Sequence, residues 1–369
     1  MTRSSTAQPR SFDFGRFWDR WGIASVLVLL IIVSTVISPD FLTLQNIQSI
    51  LRESAYVGIV ACAMTIAIMN GTFDLSVGGQ LALVSVVSLF AFGIGGTGLA
   101  IAAAIGTGLA CGLLNGVLVT ALKVPPFIAT LGMLFVFRGI AYLLTQDGPA
   151  TLPYADVDSA FAQIGSGGIA YIPTTFIIMV LVFVAGYMIL YRTAIGRKVV
   201  AYGSSPSAAR FSGISAWKVR LFVFVLLGVA VGIASLTYAT RVWTADGSAQ
   251  DGFELRVITA AVLGGASLQG GKGSLTGTFS AVLLVSVLND LLVSQGVDAS
   301  YQRIILGSVL VIALAIDGLR TKFSGFGRFR RAPRTGPGLF NTSDDSAPQF
   351  PSSNTTKTGR APEQERQSQ

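Results

Sequence analysis

Asp74 is a carboxylate set between two long apolar stretches of this chain. It stands in the run NGTFDLSVGG, Asn70 to Gly79, with an amide four residues before it and glycines on both sides. A carboxylate at the centre of a lipid-facing helix costs roughly 3 kcal/mol on insertion scales, so Asp74 belongs against other helices or a cavity. Two readings stand side by side: Asp74 and Asn70 lie near a pathway, or the carboxylate caps the next helix by accepting its first free N–H groups. A second candidate is the stretch Asp251 to Ser274, DGFELRVITAAVLGGASLQGGKGS, where an acidic loop enters a short apolar run that breaks on paired glycines. Helix breaks at bilayer depth survive only where protein or a watery cavity surrounds the freed backbone groups. Asn70, Asp74, Gly78, Gly264, Gly265 and Asn289 are therefore the candidates for a solute pathway or its gate.

What the chain lacks narrows the chemistry. It has no histidine, which removes the commonest general base, metal ligand and proton shuttle together. No clustered acids, nucleophile with base, or metal set replaces it. No catalytic residue, metal or cofactor is expected, and the chain is not expected to be an enzyme. Gly93, Gly95 and Gly98 match GxGxxG formally, but they fall in a turn between two membrane helices, without the preceding strand a dinucleotide site needs. Lys272 is followed by Gly273, not Ser or Thr, so the glycine-rich run there is no phosphate loop. If ATP drives this protein, the ATPase is a separate subunit.

These residues must be held by membrane helices. The 369 residues are 51% hydrophobic and 12% charged, where a soluble domain carries about 25% charged residues. The expected fold is all-α: a polytopic membrane helix bundle of about ten transmembrane helices, some of them broken. The crossings fall near 22–38, 54–69, 76–93, 99–121, 127–144, 173–191, 220–239, 256–268, 275–293 and 301–318, with eight or nine remaining if 256–268 and 275–293 only dip in and return. Each full crossing needs to cover about 30 Å of hydrocarbon at 1.5 Å per residue. Cys62 and Cys111 lie inside apolar segments and read as small buried hydrophobes.

Charge alternates as this topology requires. Segment 192–220 carries Arg192, Arg197, Lys198, Arg210, Lys218 and Arg220 without an acid, and reads as cytoplasmic. Segment 145–172 carries Asp147, Asp156 and Asp158 without Lys or Arg, and reads as outside. Both termini then fall in the cytoplasm: a segment 1–21, a membrane domain 22–319, and a basic tail 320–369 expected to be disordered from Thr335 onward. The net charge of +8 collects near that tail, where contact with anionic membrane lipid is favoured over nucleic acid.

Three smaller patterns complete the reading. Ala104, Gly108, Gly112 and Gly116 form one narrow helix face, echoed by Gly228 and Gly232, and read as close helix packing. In GSSPSAARFSGIS, Ser205 can cap a short helix that begins at Pro206 and ends by Gly213. Asp246, Asp251, Glu254 and Arg256 form a mixed-charge outside loop that docks an external partner or simply keeps itself solvated.

Four blocks, NGTFDLSVGG, VPPFIATLGMLFVFRGIAYLL, AIGRKVVAYGSSPSAARFSGI and ITAAVLGGASLQGGKGSLTGTFSAVLLVSVLND, together resemble the permease subunits of bacterial sugar ABC importers of the ribose, xylose and autoinducer-2 type. The similarity covers roughly residues 50–318. It implies a multi-pass protein of the bacterial cytoplasmic (inner) membrane that pairs with a second permease as a homo- or heterodimer. It further implies an ATP-binding subunit inside and an extracytoplasmic sugar-binding protein outside. By that resemblance, Pro206, Ala209, Arg210, Ser212 and Gly213 belong to the element coupled to the ATPase, and Asp251 and Glu254 to the docking side for the binding protein. Ser205 and Ser207 stand where the family often has Asn and Glu, Gly79 where Ser is common, and Asp290 where a second Asn is frequent. The alternative is an ion-coupled secondary transporter of a small polar solute with Asp74 or Asp290 as proton site; a membrane-embedded transferase ranks last.

Overall fold

A computed structural model describes residues 14–328, apart from Asp147, Tyr154, Ala155 and Val157. The expected segment 1–21 is thus described only from Phe14. The tail is described only to Arg328, and its expected disorder lies outside the described residues. The chain forms two units, Met1–Thr321 and Lys322–Gln369. Of the second, only the helical residues 322–328 are described.

The described residues are mostly helical, as the apolar runs require. In order the helices are α1 (Phe14–Ile37), α2 (Leu44–Met69), α3 (Val77–Thr120), α4 (Pro126–Leu144), α5 (Ala162–Ser166) and α6 (Thr174–Tyr187), which continues through a π turn, Met188–Arg192. Then follow α7 (Ala194–Ser204), α8 (Pro206–Phe211), α9 (Ala216–Val242), α10 (Phe253–Leu263), α11 (Leu275–Ser294) and α12 (Ala299–Arg328). Short strand pairs join β1 (Ala150–Thr151) to β4 (Thr244–Ala245), and β2 (Gly168–Ile169) to β3 (Ile172–Pro173). Side-chain caps start several helices: Thr43 for α2, Thr193 for α7, Ser205 for α8 and Ser274 for α11. In the loop before α12, Asp298 accepts the Ser300 N–H at 2.8 Å, which holds its carboxyl below the usual range.

Among the described residues, six helices are long and apolar enough to cross a membrane, and Gly22–Ile37 and Ala299–Ile312 are shorter apolar helices. Exposed Phe135, Leu143, Leu181 and Val184 suit a surface that faces lipid. One expected crossing is corrected. α10 has 11 residues and spans only about 16 Å as a helix, so the segment 256–268 cannot cross as a helix; an irregular loop takes over at Gly264.

α3 is two arms and not one rod. Its backbone leaves helical geometry at Gly95 and at Gly96, where φ is +69°. The Asn115 side chain returns to within 2.9 Å of Asp74. A straight helix would place residues 41 positions apart about 60 Å from each other. The glycines 93–98 thus make the hairpin turn expected of them, and no nucleotide loop.

α2 is the axis of the bundle, buried continuously from Ser54 to Met69 and touching α6, α9, α10 and α11. The second arm of α3 packs on α9 through the two small-residue stripes, which face each other. A β-carbon at Gly108 would collide with the Gly228 carbonyl, one at Gly112 with the Phe224 carbonyl, and one at Gly232 would stand 2.9 Å from the Ala104 carbonyl. Backbone meets backbone there, which only glycine permits.

Candidate functional site

The end of α2 is where the broken segments converge. The Gly271 N–H donates to the Met69 carbonyl at 2.8 Å. A β-carbon at Gly203, near the end of α7, would collide with that same carbonyl, and one at Gly270 would lie 2.7 Å from the Gly203 carbonyl. Three chain segments that are remote in sequence therefore share one backbone junction: the turn after α2, the break after α10, and the segment leading into α8. Gly270 and Gly271 reach it with φ of +83° and +74°, a region L-residues avoid. Higher in the same break, Gly264 fits directly against the backbone of Thr278 at the start of α11, and Gly265 turns the chain with φ +97°.

Beside the junction, Asp74 is fully buried. It accepts from the Ser76 N–H at 2.7 Å, the Ser76 hydroxyl at 2.6 Å, Gln80 Nε2 at 3.1 Å and Asn115 Nδ2 at 2.9 Å. The carboxylate is thus a tie between the two arms of α3, and it meets only the Ser76 N–H of the adjoining backbone. Asn70 is buried separately and donates to the Val199 carbonyl of α7 at 3.3 Å.

A second polar layer lies further along α2. Tyr56 stacks on Phe253 with ring centroids 6.0 Å apart and meets Tyr238 edge-on at 5.5 Å. Thirteen residues separate Tyr56 from Met69, which is about 20 Å along the helix. At this level Arg256 pairs with Glu53 at 3.7 Å and donates to Gln250, while Asn289 donates to Glu53 at 2.9 Å. Arg138 of α4 pairs with Asp251 at 2.7 Å. A β-carbon at Gly78 would collide with the Glu254 carboxylate, and one at Gly79 with the Leu134 carbonyl of α4.

The candidate residues are therefore redistributed. Gly78 and Glu254, expected in a gate and in an outside docking loop, touch one another. Asn289 joins this second layer and lies away from Gly264. Asp290 accepts from Asn46 at 2.9 Å. Glu53, Arg138 and Gln80 were missed from the sequence; a lone charged or amide side chain beside or within an apolar run, as in FVFRGIAY and VGGQLALV, was the available signal.

α8 forms the expected short helix, with Ser205 Oγ accepting from the Ala208 N–H at 3.4 Å and Gly213 at φ +75°. Ala209 is buried, while Pro206, Arg210 and Ser212 are exposed. Phe211, not singled out from sequence, is 94% exposed.

A bundle of membrane helices with two broken segments meeting at one end, and charged side chains paired inside it, defines a membrane permease. The chain belongs to the family described as branched-chain amino acid transport system / permease component, whose model matches residues 46–314. It is 36% identical over 318 residues to the ribose import permease protein RbsC of Escherichia coli K12, covering 86% of this chain and 99% of that protein. It is 37% identical to RbsC of Bacillus subtilis 168, with 86% and 98% covered. Identity to the L-arabinose transport system permease protein AraH of Escherichia coli K12 is 30%, with 87% and 97% covered. No solved structure matches. The chain is a multi-pass protein of the cytoplasmic membrane.

Proposed function

We propose that this chain is the transmembrane permease subunit of an ABC importer that moves a sugar or sugar-like solute inward, powered by a separate ATP-binding subunit. The observation that carries the reading is the junction at Met69, Gly203 and Gly270. Movement imposed on α7 and α8 meets backbone, with no compliant side chain between, and so reaches the breaks after α2 and α10 directly. Pro206, Ala209, Arg210, Ser212 and Gly213 form the ATPase contact, and the bare Phe211 ring serves as its apolar anchor. ATP binding inside and binding-protein docking outside bias two arrangements of the bundle.

The basic residues around α7 and α8 face the cytoplasm, and both termini lie there. The two arms of α3 count as two crossings, and α10 with its loop as one of ten. A second permease, identical or related, completes the membrane part. The binding protein docks at the opposite face near Asp251, with Glu254 behind it against Gly78. Residues 22–319 form the permease domain, and the basic stretch after it rests on membrane lipid. No nucleic acid or cofactor is involved, and no bond of the solute is broken.

The ribose and arabinose in the relatives' names support a sugar over the branched-chain amino acid of the family description, because those relatives match along nearly the whole chain. No observation favours the ion-coupled alternative: Asp74 already accepts from four donors. The test is to purify the chain with the subunits that accompany it, reconstitute them in vesicles, and measure uptake of D-ribose, L-arabinose and leucine. ATP-dependent uptake of a pentose is expected. Proton-driven uptake by the chain alone, or ATP-driven uptake of leucine only, would overturn the reading.

A further inference from the structure

The loop between α9 and α10 closes over a cleft of about 210 Å³. It is lined by Tyr238, Thr244, Asp246, Ser248 and Gln250 with two small alanines, and Tyr238 and Gln250 are hydrogen-bonded to each other. That is a set of hydroxyl, carboxylate and amide groups beside one aromatic ring, with no lysine or arginine among them. We propose that this cleft is a subsite for a single monosaccharide ring on its way into the pathway; the proposal rests on the sugar-importer reading above.

Size and chemistry agree. The cleft is open on one side and has room for a small polar ring. Asp246 accepts from the Ser248 N–H at 2.7 Å and the Ser248 hydroxyl at 2.6 Å through the same oxygen, Oδ1. Oδ2 keeps its lone pairs for an incoming hydroxyl. A zwitterionic amino acid would need a cation as well. Arg256 is engaged with Glu53 and Gln250, and Arg241, the other arginine close to Tyr238, does not line the cleft.

The cleft is also built rigidly. Trp243 and Gln250 hold left-handed φ of +63° and +51°, and Gly252 has +77°. For residues with a side chain this conformation costs about 1–2 kcal/mol each, and such strain persists only where surrounding structure imposes it. Here Thr244 and Ala245 pair with Thr151 and Ala150, Gly247 sits against the Tyr142 ring, and Asp251 is tied to Arg138. A preformed cleft spends less binding energy on ordering itself. Tyr238 meets Tyr56 edge-on and Tyr56 stacks on Phe253, so the aromatic wall of the cleft is anchored in the buried second layer.

Cys62 and Cys111 are both buried, so Ser248→Cys provides one exposed reporter thiol. The intact transporter carrying it is labelled with a membrane-impermeant maleimide in the presence of D-ribose, L-arabinose, leucine or maltose. D-ribose or L-arabinose is expected to slow labelling about threefold or more, leucine and maltose are not, and Tyr238→Phe in the same background removes most of the protection. Labelling indifferent to both pentoses, in Ser248→Cys vesicles that still take one of them up, overturns the subsite alone. Protection by leucine or maltose equal to that by pentose overturns it too, and wild-type vesicles that take up neither pentose overturn the sugar reading beneath it. Undiminished protection in Tyr238→Phe also contradicts the subsite.

Discussion

The carbonyl of Met69 and the α-carbon of Gly203 lie so close that no β-carbon fits between them. The same carbonyl accepts the Gly271 N–H at 2.8 Å. One oxygen thus joins the end of the central helix to the break after α10 and to the segment entering α8. Packed backbones have no rotamers to absorb a displacement, so they shift together or separate.

Asp74→Ala is expected to lower stability through its orphaned donors. Ser76, Gln80 and Asn115 would be left buried with fewer partners, at about 1–3 kcal/mol for each group unmet. The thermal unfolding midpoint in detergent should fall clearly for Asp74→Ala. It should fall less for Asp74→Asn, which retains acceptor oxygen. A double-mutant cycle with Asn115→Ala should show coupling between the two arms of α3.

The glycine stripes make a sharper contrast. Gly228→Ala places a methyl against the Gly108 carbonyl and Gly112 Cα, whereas a β-carbon at Gly106 meets nothing within 4 Å. Overpacking of this kind costs about 1–3 kcal/mol. Gly228→Ala should reduce the folded yield or the unfolding midpoint, and Gly106→Ala should leave both near wild type.

How much of this was legible in the residues depends on range. The hairpin at Gly95–Gly96, the capped α8 and the paired small-residue faces are local patterns, and one stretch of sequence suffices to read each. The contact of Gly78 with Glu254 is long-range. The sequence places one at a helix start and the other in a charged loop, and only the shortness of α10 brings that loop down to meet α3. Glu53 and Asn289 also meet at long range, across α2 and α11, whose mutual register no single segment encodes. Phe211 was overlooked because one aromatic in a short helix looks like core until its exposure is known.

The two ion pairs of the second layer should behave differently. Arg138–Asp251 has an Asp251 side chain 61% exposed, and such pairs contribute about 0–1 kcal/mol. Glu53 is only 20% exposed and holds both Arg256 and Asn289. Glu53→Ala should therefore destabilise by more than Asp251→Ala, as compared by unfolding in detergent.

Phe211→Ala should weaken ATPase association without harming the fold, since the ring touches little within the chain. Loss of an interface anchor commonly costs about 2 kcal/mol or more, a fall in affinity of roughly thirtyfold. Co-purification and titration with the isolated ATPase subunit read this directly, with unfolding temperature as the control.

The most direct test is Gly203→Ala in the reconstituted transporter, with ATP hydrolysis and pentose uptake measured on the same vesicles. The added methyl pushes on the Met69 carbonyl while leaving α8 itself unaltered. Expected is a complex that still assembles and hydrolyses ATP but whose uptake per ATP falls about tenfold or more, in line with a misfit of 1–3 kcal/mol at the junction. An assembled complex whose uptake per ATP equals that of wild type would contradict coupling through the junction.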